Sequence, residues 1–86
     1  MDIHYTAHFA SRLQKRYHKN PPLRSQVVKQ VTLFQQNPYH PSLKTHKLTG
    51  KRSEQYAFWI QGNLRITFLK TPTAYIFTDI LTHDEY

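Results

Sequence analysis

Apolar residues in the first third of the chain recur at helical spacing. Phe9, Leu13 and Tyr17 fall at i, i+4 and i+8, which predicts an amphipathic helix over about residues 8–17. Ile3-His4-Tyr5 before it reads as a short strand, and Thr6 as the helix N-cap. Asn20-Pro21 reads as a second N-cap with proline at the first helical position. Leu23, Val27, Val31 and Phe34 then form the stripe of a helix over about 21–36, ended by Asn37-Pro38. From residue 55 onward the period changes to two. Residues 57–69 read as two apolar strands turning at Gly62-Asn63, and Thr71-Pro72-Thr73 supplies a second turn. Residues 74–82 make a third strand, with Ala74, Ile76, Thr78 and Ile80 expected on one face and Tyr75, Phe77, Asp79 and Leu81 on the other.

Register decides what the first hairpin presents. A two-residue turn at Gly62-Asn63 sets Ile60 against Arg65 and mixes both faces. A three-residue loop, Gln61-Gly62-Asn63, sets Ile60 against Leu64, Phe58 against Ile66 and Tyr56 against Phe68. One face is then wholly apolar, and the other carries Trp59, Arg65 and Thr67. Burial of one consistent face fixes strand register, so the second pairing is favoured.

The order is a short N-terminal strand, a two-helix hairpin and a three-strand antiparallel meander. It predicts a single α+β domain over residues 1–86, with the helices on one face of a small twisted sheet. The opposite face is expected to be open, concave and basic. Residues 38–53 stand apart, with two prolines, one glycine and six of the basic and histidine side chains: His40, Lys44, His46, Lys47, Lys51 and Arg52. They read as a loop with a short extended piece near Leu43–Leu48.

Charge narrows the choice of partner. Twelve Lys and Arg against five Asp and Glu give a net charge of +7 over 86 residues, which favours a polyanion, either nucleic acid or an acidic protein. Without cysteine, neither disulfides nor thiolate zinc sites hold the fold. Met1-Asp2-Ile3-His4 has no apolar signal core and no run approaches membrane-spanning length, so a cytoplasmic protein is expected. His4 and His8 straddle the strand-to-helix change and read as structural. Arg12, Arg16 and Lys19 read as a solvated helix face or a landing site for RNA or an acidic partner segment.

In an antiparallel meander the end of the third strand returns toward the start of the second, which makes Arg65 and His83 neighbours. Lys44, His46 and Lys47 enter just before the hairpin, at the same rim. A cluster of Lys, Arg and His suits cleavage of RNA without a metal ion, in which the 2′-hydroxyl attacks its own phosphate. That reaction needs a base, cations for the charge that develops on phosphorus, and an acid for the departing 5′-oxygen. Histidine serves as either acid or base near neutral pH, and arginine grips phosphate bidentately.

Residues 43–86 carry a resemblance. Lys44-Thr-His-Lys-Leu-Thr-Gly50, Gln55-Tyr-Ala-Phe-Trp-Ile60, Gly62-Asn-Leu-Arg-Ile-Thr-Phe68 and Thr82-His-Asp-Glu-Tyr86 are similar to motifs of the RelE/ParE toxin superfamily, and the element order matches over the whole chain. The resemblance implies the toxin of a type II toxin–antitoxin module. Its RelE and YafQ branches cleave mRNA in the ribosomal A site, and its ParE branch inhibits DNA gyrase. It further implies a cognate acidic antitoxin, a toxin–antitoxin hetero-oligomer, and no cofactor or metal.

Carried over by motif, Arg65 matches the arginine that stabilises the scissile phosphate. His46 resembles a YafQ-type histidine acting as general base, and His83 the last such histidine, acting as general acid. Tyr86 resembles the C-terminal aromatic that stacks on the substrate base, one residue nearer the histidine than the usual His-Asp-Glu-Xaa-Tyr ending. Lys44 and Lys47 fall at phosphate-contacting lysines, with Lys51 and Arg52 beside them. Trp59 stands near another YafQ histidine and is a candidate for stacking on a base. The expectation is a ribosome-dependent endoribonuclease. A ParE-like gyrase inhibitor and a non-catalytic RNA-binding domain are the alternatives.

Overall fold

The computed structural model describes residues 1–85, so the Tyr86 assignment lies outside the described residues. The chain begins with β1 (Asp2–Tyr5), α1 (Ala7–Lys19) and α2 (Leu23–Gln36). Four strands follow: β2 (His46–Lys47), β3 (Tyr56–Gln61), β4 (Leu64–Lys70) and β5 (Ala74–Thr82). Thr6 caps α1 as the sequence predicts, its side chain accepting from the Phe9 N–H at 3.0 Å. Asn20 differs from its expected role. It closes α1 by donating its N–H to the Arg16 carbonyl, and α2 starts only at Leu23, after the Pro21-Pro22 turn. Each proline disfavours helical geometry in the residue before it, which keeps Asn20 and Pro21 out of the helix, and the turn leads in through Leu23 N–H to the Asn20 carbonyl at 3.0 Å.

The strands form one five-stranded sheet in the order β1-β5-β4-β3-β2. The three-strand meander is its centre, and two edge strands extend it. β1 runs parallel to β5, with Ile3 beside Tyr75 and Tyr5 beside Phe77. The extended piece of the basic loop is β2, antiparallel to β3 through His46–Ala57 and Lys47–Tyr56. Both helices cover one face. Phe9, Leu23, Val27 and Phe34 pack there with Leu43, Phe58, Ile60, Leu64, Ile66, Phe68, Tyr75, Phe77 and Ile80. Among the described residues no helix is long and apolar enough to cross a membrane.

The hairpin register combines the two alternatives. Tyr56 opposes Phe68, Phe58 opposes Ile66 and Trp59 opposes Arg65, as the apolar-face argument requires. The turn itself is the two-residue Gly62-Asn63, with Gly62 at φ +52, because Gln61 opposes Leu64. A bulge at Ile60 reconciles them, so Ile60 and Leu64 both reach the core. The bulge is satisfied from α2. Gln26 donates to the Ile60 carbonyl at 2.8 Å, and the buried Gln30 to the Trp59 carbonyl at 3.0 Å.

A second irregularity corrects the expected alternation of β5. Thr67 opposes Asp79 but Phe68 opposes Phe77, which leaves Thr78 as the extra residue. Tyr75, Phe77 and Ile80 therefore all face the core, while Leu81 falls on the far face with Arg65. Nor is that far face bare. Ala57, Thr67, Leu81 and Leu48 are buried outside the main core. The chain after β2 folds back over the sheet edge, and Gln55 accepts a 2.5 Å bond from the Thr78 hydroxyl.

Candidate functional site

A tightly shaped segment leads into β2. Pro41–Leu43 forms a 3-10 turn with Leu43 fully buried, and Lys44 closes it in the left-handed region at φ 50, ψ 38. That conformation is disfavoured for a side chain bearing a Cβ. It brings the Lys44 carbonyl 2.9 Å from Nδ1 of His46. A carbonyl only accepts, so Nδ1 carries the hydrogen and the neutral ring presents Nε2 as its lone-pair nitrogen. The Lys44 ammonium lies 5.0 Å from the centre of the Trp59 ring, and the indole N–H donates to the Gly62 carbonyl at 2.8 Å. Trp59 is thus anchored along the hairpin with one ring face occupied by a cation.

An open groove of about 740 Å³ runs from β2 to the chain end, lined by His46, Lys47, Leu48, Thr49, Lys51, Arg52, Gln55 and His83. The two histidines come from distant parts of the sequence, on a wall that among the described residues holds three cationic side chains and no carboxylate. Lys51 and Arg52 reach it through the 3-10 turn Gly50–Arg52, which follows β2. His83 reaches it because β5 runs alongside β4 to the Leu64–Thr82 pair, and its N–H then donates to the Asn63 carbonyl at 3.0 Å.

Arg65 stands beside this groove without lining it. It lies on the face away from the helices, paired with Trp59 on one side and Leu81 on the other. Its Nε and Nη1 are buried with no hydrogen-bond partner among the described residues. A guanidinium held this way is a latent receptor for an anion, since its donors stay unused. The sequence places Lys44 and Arg65 on the groove itself; in the structure both flank it, with Trp59 between their positions. Among the described residues no group of histidines and carboxylates has metal-binding geometry.

Sequence reasoning missed the acidic residues. Asp79 meets His8 at 3.1 Å and Arg12 at 3.2 Å, and Glu85 meets Arg12 at 2.9 Å and Arg16 at 2.7 Å. Arg12 and Arg16 are therefore engaged with the chain end and are not a free solvated face. The Thr82 backbone N–H, followed by bonds from Arg12, the Thr82 hydroxyl and Arg16, pulls the Glu85 carboxyl down to about 2. The signal was present in the composition: with five acidic residues in the chain, two near its end oppose a basic helix.

Neither a protein-family model nor a curated protein sequence matches this chain. Solved structures do. YafQ from E. coli strain BL21(DE3) superposes with a TM-score of 0.80 at 19% identity, over 98% of this chain and 94% of that one. The YoeB/ParE toxin from Agrobacterium tumefaciens gives 0.77 at 10% identity, over 96% and 99%. The E. coli DinJ-YafQ toxin–antitoxin complex gives 0.78 at 19%, over 98% and 93%. The fold of this protein is that of the RelE/YafQ-like toxins.

Proposed function

We propose that this protein is the toxin of a type II toxin–antitoxin module, a cytoplasmic endoribonuclease that cleaves mRNA on the ribosome without a metal ion. The observation that carries the reading is the pair His46 and His83 on one basic groove, which has no carboxylate side chain among its described lining residues. His46 Nε2 takes the proton from the 2′-hydroxyl, and the 2′-oxygen attacks the adjacent phosphorus. Arg65, with Lys44 and Lys47, offsets the charge that builds on the phosphorane. His83, protonated, delivers its proton to the departing 5′-oxygen. The products end in a 2′,3′-cyclic phosphate and a 5′-hydroxyl. Lys51 and Arg52 hold flanking phosphates, which sets the strand along the groove but reads no sequence. Trp59 supports Lys44 and offers an aromatic edge to a base, and Tyr86 is the further stacking candidate.

The net charge of +7 favours an acidic antitoxin as partner, and the structurally similar E. coli YafQ has been solved in a toxin–antitoxin complex with DinJ. Replacing His83 by alanine tests the chemistry. A general acid contributes roughly 10²–10⁴-fold, so H83A should lose at least that lower factor in cleavage of translated mRNA, and its toxicity, with an unchanged circular dichroism spectrum. Parent-level cutting by H83A would refute the mechanism. Stalled gyrase–DNA complexes with intact mRNA would refute the ribonuclease reading altogether.

A further inference from the structure

The last turn of the chain is fastened to α1 by contacts that the mechanism leaves unused. Glu85 accepts from four donors: Arg16 at 2.7 Å, Arg12 at 2.9 Å, the Thr82 N–H at 2.7 Å and the Thr82 hydroxyl at 3.0 Å. Two of these donors belong to the helix and two to the residue immediately before His83. The arginines are themselves fixed. Arg12 Nε meets Asp79 at 3.2 Å, and Arg16 Nε donates to the Ile80 carbonyl at 3.3 Å.

We propose that Glu85 is a positioning residue for His83, holding the 3-10 turn His83–Glu85 against α1 so that the imidazole stays on the groove. The inference rests on the reading of His83 as general acid. The main core includes no residue beyond Ile80, so it does not require the clasp. What the clasp orders is the short segment that carries His83, which lies outside the main core and is tied to the hairpin by the His83 N–H to Asn63 carbonyl bond at 3.0 Å. A displacement of about 1 Å in a proton-transfer group costs about 10²-fold in rate, which makes such a fastening consequential. Glu85 is held well below the usual carboxylate range by the Thr82 and arginine donors, so it stays ionised and able to accept all four bonds at neutral pH.

The test compares E85A and E85Q with the parent, using the full chain. Three quantities are read: single-turnover cleavage on programmed ribosomes, RNA affinity, and the ¹⁵N heteronuclear NOE of His83 and Asp84. E85A should cleave at least tenfold more slowly with affinity within about twofold, and its NOE should fall toward flexible values. E85Q keeps the Thr82 contacts and should lie between. An E85A protein with parent rates, an unchanged NOE, or a loss confined to affinity would overturn the proposal. If instead H83A proves as active as the parent, the ribonuclease mechanism fails, while the NOE still decides whether Glu85 holds His83 in place.

Discussion

On the helix side of the sheet Phe34 is fully buried among four aromatic rings, with centroids 4.6 Å from Phe58, 5.0 Å from Tyr75, 5.1 Å from Phe68 and 5.5 Å from Phe77. On the far side Arg65 holds two buried guanidinium nitrogens with no hydrogen-bond partner among the described residues, and beyond Trp59 Lys44 sits in a left-handed conformation. The first arrangement buries its rings in mutual contact. The second keeps a cation and a backbone strain that packing alone would have removed. Unused donors and strain retained in a chain of 86 residues mark the face where function competes with stability.

That contrast can be broken from either side. The largest effect belongs to the helix side. F34A should lower unfolding stability by about 3–5 kcal/mol, read by urea titration, because the rings around it cannot collapse into the space. An effect below 1 kcal/mol would mean that the aromatic cluster is not the keystone of the core. A smaller effect of opposite sign is expected across the sheet. R65M should raise stability by about 1 kcal/mol in the same titration, by removing donors left unsatisfied, while abolishing RNA cleavage. A fall in stability comparable with that of F34A would show Arg65 to be structural.

The smallest effect lies at the chain end. A carboxyl lowered from 4.5 to about 2 contributes stability that is fully present above pH 4.5 and is lost as the pH falls toward 2. The Thr82 amide resonance should therefore titrate with a midpoint near 2, while core amides stay unchanged down to pH 3. A midpoint near 4.5 would mean that the clasp does not form in solution.

Much of the fold was legible from spacing alone. The stripe Leu23, Val27, Val31 and Phe34 marked its helix, and alternation put Arg65 opposite the apolar face. The bulges were not legible, because each is settled by a partner far away in sequence. Gln26 and Gln30 on α2 make the kink at Ile60 tolerable, and the Thr78–Gln55 bond accompanies the one in β5. A period-two pattern cannot register a residue that drops out of it. The resemblance pointed to His46 and His83 as site residues, and in the structure both line one groove. The left-handed Lys44 was invisible, since lysine gives no sign of that conformation. For the arginines of α1 the sequence left a solvated face or a landing site open, and the pairing with Glu85 was invisible because it spans nearly the whole chain.

The parallel pairing of β1 with β5 has a consequence for synthesis. The strand made first, Asp2–Tyr5, must wait for Ala74–Thr82 to become the neighbour it lies against, and that late strand is also the one next to β4. While still being translated, the emerging chain holds two helices whose apolar faces have no completed sheet to cover, and a groove that lacks one wall. The protein thus becomes itself only once the ribosome has passed Thr82 and that strand has cleared the exit tunnel.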